Sequence, residues 1–115
     1  MRKETKMEFY QLKRPGRDPE CVYLFRTRYV VDGSLAVMMM CEDGEVLADV
    51  TKFLEPTASD RLAYVDENDA PWMGEFLQRE GLAFPTGRVR ESGLCTYRQF
   101  RFTNKFFDES YEDEG

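Results

Sequence analysis

The sequence contains no histidine. That absence removes Ser-His and Cys-His nucleophile activation within this chain, and with it the commonest zinc and non-haem iron ligand. Cysteine is scarce as well. Cys21, Cys41 and Cys95 are odd in number and widely spaced, which suits neither a disulfide framework nor a CxxC metal clip. They read as reduced thiols, with Cys41 a small hydrophobe inside an apolar strand. Long apolar runs are missing too: the longest, residues 35–41, falls far short of the roughly 18 residues that span a bilayer. The chain opens with Arg2 and Lys3 and continues through Glu4, Thr5, Lys6 and Glu8 without an apolar stretch, so no secretory signal and a cytoplasmic location are expected. No residue pattern asks for a cofactor or a metal, and no catalytic residue stands out.

What is present suits one small domain. A chain of 115 residues that is 42% hydrophobic has room for a single core and not for two. The expected fold class is α+β, an antiparallel sheet built from a three-stranded meander plus further strands and packed with one main helix. Residues 1–20 form a basic N-terminal arm with at most a short strand at residues 9–12, residues 21–107 the domain, and residues 108–115 an acidic disordered tail.

Charge is unevenly spread. The net charge is −6, and Asp108, Glu109, Glu112, Asp113 and Glu114 account for all but one unit of it. Such a block of like charge at a terminus is usually solvated, and it is also a candidate acidic surface. Arg2, Lys3, Lys6, Lys13, Arg14 and Arg17 make the arm basic, whereas residues 32–80 hold twelve carboxylates against Lys52, Arg61 and Arg79. Neighbouring elements of opposite sign, or two functional faces, would follow.

Between residues 22 and 54, three β-rich runs are separated by Asp32-Gly33 and Asp43-Gly44, dipeptides that suit two-residue type I′ turns. Such turns place Val31 opposite Ser34 and Glu42 opposite Glu45. The ladders then align Leu24, Cys41 and Val46, next Arg26, Met39 and Ala48, next Arg28, Val37 and Val50 on one face. Phe25, Met40 and Leu47, then Thr27, Met38 and Asp49, then Tyr29, Ala36 and Thr51 share the other. Both faces are largely apolar and both require cover, from the arm, from later segments or from a second copy in a homodimer.

A short strand is expected at residues 62–66. A helix follows, with Pro71 at its first position, Trp72, Met73, Phe76 and Leu77 on its buried face, and Gly81-Leu82 closing it as a Schellman motif. Residues 84–93, with Pro85, Gly87 and Gly93, read as a loop, and residues 94–102 as the last strand.

Three segments carry candidate chemistry. Thr86-Gly87-Arg88-Val89-Arg90-Glu91-Ser92-Gly93 can wrap an anion with backbone N–H groups and guanidinium donors, although it lacks the P-loop spacing. The bland alternative is a turn whose arginines pair with acidic neighbours. Arg88, Arg90, Tyr97, Arg98 and Arg101 interleave cations with an aromatic, as single-stranded nucleic-acid sites do, and the alternative there is solvated strand arginines. Asp66, Glu67, Asn68 and Asp69 could hold a hard cation but suit helix entry better.

At Ala63-Tyr64-Val65-Asp66, Ala70-Pro71-Trp72, Pro85-Thr86-Gly87-Arg88 and Ser92-Gly93-Leu94-Cys95-Thr96-Tyr97 the chain resembles a family of small proteins from plasmids and conjugative elements of gut Firmicutes, over about residues 22–103. The resemblance implies an accessory factor of a mobile element, of the kind that disarms restriction or CRISPR systems, and carries over no catalytic residue. The leading expectation is an interaction protein that inhibits a host nucleic-acid-handling complex, with a host protein or ribonucleoprotein as partner. The alternatives are a nucleic-acid-binding module using residues 88–101 and a histidine-free, metal-assisted nuclease.

Overall fold

Residues 8–57 and 59–112 are described by a computed structural model. The first aspartate-glycine dipeptide does turn the chain, but through four residues rather than two. The Tyr29 N–H donates to the Ser34 carbonyl and the Gly33 N–H to the Tyr29 carbonyl, both at 2.8 Å. A type I′ turn needs positive φ at both central residues; Gly33 has it (75°), and no described residue other than glycine does. Asp32 instead braces the loop, its Oδ1 accepting from the Ser34 N–H (2.9 Å) and hydroxyl (2.7 Å).

The pairing of β2 (Glu20–Arg28) with β3 (Leu35–Cys41) is therefore displaced by two residues: Leu24 faces Met39, not Cys41, and Arg26 faces Val37, not Met39. An even displacement leaves every side chain on its expected face. At the second dipeptide the Cys41 N–H donates to Glu45 (2.7 Å) across three residues. In β4 (Val46–Asp49) Ala48 and Asp49 pair with Met39 and Met38 as expected, and a bulge beyond Met39 sets Met40 against Val46 instead of Leu47.

The strands form two sheets. β1 (Tyr10–Leu12), β2, β3 and β4 lie side by side, antiparallel. β5 (Thr51–Lys52), β6 (Leu62–Val65), β8 (Cys95–Phe102) and β7 (Ala83–Ser92) form the second sheet in that spatial order. Only Val50 separates β4 from β5. Its N–H donates to Val37 of the first sheet, and its carbonyl accepts from Asp66, which follows β6, both at 2.9 Å.

One apolar cluster joins the inward residues of both sheets, among them Leu24, Val37, Met39, Val65, Phe100 and Phe102, to both helices. Each such side chain contributes roughly 1.5–3 kcal/mol by leaving water. The outward face of the first sheet is apolar as expected but only partly covered, by its own aromatics: Phe9 meets Tyr23 edge-on (5.5 Å) and Tyr111 stacks on Phe25 (5.4 Å).

The helix α1 (Met73–Arg79) buries Met73, Phe76 and Leu77. It starts two residues later than Pro71, because the Met73 N–H closes a tighter turn onto Ala70 (2.9 Å). The Schellman closure is present: Leu82 N–H to Leu77 (2.8 Å) and Gly81 N–H to Gln78 (3.1 Å).

Two segments depart from the sequence reading. Residues 84–92 are no loop but most of β7, whose Pro85 and Gly87 are tolerated because β7 is an edge strand with a bulge between Pro85 and Val89, while Gly93 lies in the turn into β8. Residues 108–112 are no disordered tail. They complete α2 (Asn104–Glu109), capped by the Thr103 hydroxyl accepting from the Phe106 N–H (3.3 Å), and form β9 (Tyr111–Glu112), paired parallel to β2. Asp113 and Glu114 lie outside the described residues, as do residues 1–7 of the basic arm with Arg2, Lys3 and Lys6. Its remainder is fixed by β1 and by Arg14, which pairs with Glu20 (2.7 Å).

Candidate nucleic-acid interface

Alternation along β7 and β8 decides which candidate residues meet. On β8, Phe100 and Phe102 turn into the core, so Tyr97, Gln99 and Arg101 point to the outward face of the second sheet. On β7, Phe84 lies opposite Arg101 and Arg90 opposite Tyr97, while the Thr86 hydroxyl donates to Gln99 Oε1 (2.9 Å). Tyr64 of β6 pairs with Gln99, and Lys52 of β5 with Tyr64. Arg88, Arg90 and Arg101 thus share a face with Lys52, and all four are exposed.

One carboxylate is woven into this face. Glu55 accepts the Tyr64 hydroxyl (2.9 Å) and pairs with Arg90 (2.9 Å). Burial, then the neighbouring Glu55, pushes the Tyr64 hydroxyl above its ordinary pKa, and Arg88 and Arg90 partly offset this. Among the described residues Arg88 and Arg101 have no ion-pair partner.

Two of the five candidates leave the site. Arg98 lies on the opposite face, where its Nε and Nη2 both donate to Glu67 (2.7 Å each) beside α1; the bond to Glu67 holds its pKa above the ordinary value. Tyr97 stays on the outward face but is buried to 6% exposure, with the Lys52 ammonium 5.9 Å from its ring centre. A base cannot stack on it. Phe84, 47% exposed, is the aromatic that does face solvent there; the reading of residues 84–93 as a loop hid it, whereas strand alternation from Arg101 would have found it.

The acidic candidates are dispersed. Glu109 accepts the Tyr10 hydroxyl (2.7 Å), Glu112 pairs with Arg26 (3.2 Å), and Asp108 is exposed on α2. Asp66 serves helix entry, its Oδ1 accepting from Asn68 (3.2 Å) and Asp69 (3.1 Å) N–H groups. No group of three or more metal-ligating side chains comes together among the described residues, and the three cysteines are unpaired thiols. None of the described helices is long and apolar enough to cross a membrane.

Compared with known families, residues 24–115 match a domain of unknown function, DUF4313. The chain belongs to the DUF4313 family. The DUF4313 match begins within β2 and takes in the whole basic face, while β1 lies before it. No curated protein and no solved structure matches the chain.

Proposed function

We propose that this DUF4313 protein is a non-catalytic binding factor that engages nucleic acid through the outward face of β7 and β8. The observation that carries the reading is the gathering of Lys52, Arg88, Arg90 and Arg101 on one sheet face, with Glu55 the carboxylate paired within it, in a chain of net charge −6. A local cationic face on an otherwise acidic molecule orients an approaching polyanion. Phosphate contact by each of these side chains adds about 0.7–0.9 to the slope of log affinity against log salt.

Anisotropy titration of labelled oligonucleotides at low and physiological salt tests this. Binding that weakens steeply with salt and is lost in the R88A/R90A/R101A variant is the expected result. A titration with no salt-sensitive binding at low ionic strength would overturn the proposal.

A second reading draws on the β3–β4 turn, where Glu42, Asp43 and Glu45 are all exposed. Here the acidic tip docks into the basic groove of a host nucleic-acid-handling complex in the cytoplasm, as the resemblance to mobile-element proteins suggests, and inhibits it. Charge reversal of the three carboxylates abolishes that inhibition, and undiminished inhibition by the reversed variant would dismiss the reading. The nuclease alternative has no comparable feature in its favour.

A further inference from the structure

The proposed face distinguishes between forms of nucleic acid. A two-stranded ribbon can enter the major groove of a duplex, which is about 12 Å wide. At the level of Phe84 and Arg101 the sheet is not a ribbon, because β6 flanks β8 there and pairs Leu62 with Arg101. Three strands at about 4.8 Å spacing, with their side chains, exceed that groove. Phe84 and Arg101 therefore cannot be inserted among paired bases.

A half-exposed phenylalanine alone is ordinary on a protein surface. Phe84 differs in its company: it is the cross-strand partner of exposed Arg101, and Arg88 and Arg90 follow along β7 on the same face. Across the bulge, Phe84 and Arg90 pair with Arg101 and Tyr97, four residues apart on β8 and so about 13 Å along the strand at 3.3 Å per residue, enough for two or three nucleotides. Sequence-tolerant single-strand sites combine this kind of cationic track with an aromatic platform.

Resting on the nucleic-acid reading above, we infer that the strand bound here is single, with one base stacked on Phe84 and the phosphates tracking Arg101, Arg88 and Arg90. The backbone supplies the salt-dependent attraction, and the unpaired base supplies a contact that a duplex has no free base to make.

The test compares single strands of about twelve nucleotides, within the range that single domains occupy, with the duplex of the same sequence, using the full chain and fluorescence anisotropy at low salt. Single strands bind at least about tenfold more tightly than duplex, and F84A weakens single-strand binding by about five- to a hundredfold. F84A leaves weak duplex binding unchanged, and F84Y restores single-strand affinity; an unchanged urea midpoint verifies that both variants fold. Equal affinity for duplex, or unaltered single-strand binding by F84A, overturns this inference while the R88A/R90A/R101A losses keep the basic face as the site. Failure of every probe to bind overturns both.

Discussion

Gly74 offers the sharpest test of how α1 is seated. It is buried in the first turn of the helix, and a Cβ built there would overlap Glu67 Oε2 and lie 2.8 Å from Arg98 Nη2. Both atoms are ends of flexible side chains, so Gly74→Ala displaces the Glu67–Arg98 pair rather than the backbone. Two effects of similar size then oppose each other. Alanine gains about 0.5–1 kcal/mol over glycine in a helix. Losing a two-fold charge-assisted contact costs about 1.5–3 kcal/mol when sheltered, and about 1–2 kcal/mol here, since the Arg98 side chain is 43% exposed and solvent-screened.

The single variant is therefore destabilised by about 0.5–1 kcal/mol, lowering the melting temperature by about 2–5 °C for a domain of this size. In a Glu67→Ala background the carboxylate is gone and the Arg98 guanidinium can swing aside, so the same glycine substitution stabilises by about 0.5–1 kcal/mol. Urea denaturation of the four proteins measures the coupling directly, expected at about 1–2 kcal/mol. A glycine substitution with the same sign and size in both backgrounds would refute the claim that the pair occupies the space above Gly74.

Two further outcomes concern the rest of the fold. Burial, and then the bond to Glu109, holds the Tyr10 hydroxyl above its ordinary pKa; because the folded value is the higher one, its contribution is complete below about pH 10 and declines as pH rises beyond it. Tyr29 and Tyr64, raised mainly by burial, act in the same direction, so urea midpoints fall above about pH 10, less steeply in Tyr10→Phe, and a flat alkaline profile would contradict the tyrosine burial described. Gly81→Ala isolates backbone strain, since φ is +72° and the new Cβ would meet only Lys105 Cδ at 3.9 Å; a loss of about 1–2 kcal/mol in chemical denaturation is expected, and no loss would contradict the left-handed closure of α1.

The sequence conveyed periods well and connections poorly. Alternation located β2, β3 and β4 and the faces of their residues up to the β4 bulge, where Val46 and Leu47 exchange faces; in β2 and β3 the faces survived the register error because the loop around Asp32 is longer by an even number of residues. The β7 strand escaped notice since Pro85 and Gly87 interrupt it and Gly93 follows it, and its position at a sheet edge makes the first two acceptable. Composition likewise masked α2 and β9: the acidic run looked solvated, whereas Thr103 caps a helix whose Phe106 is wholly buried. At the candidate site Arg88, Arg90 and Arg101 do converge. Arg98 does not, because it alternates with Arg101 and Tyr97 on β8, and proximity in sequence cannot reveal the Glu67 carboxylate that occupies it.

Val50 makes the two sheets dependent on each other. Its amide is held by one sheet and its carbonyl by the other, so among the described residues the two sheets share a backbone junction as well as a core. Prying the sheets apart would break at least one of that residue's two backbone contacts and open the apolar cluster they share, which makes them one folding unit rather than two plates on a tether.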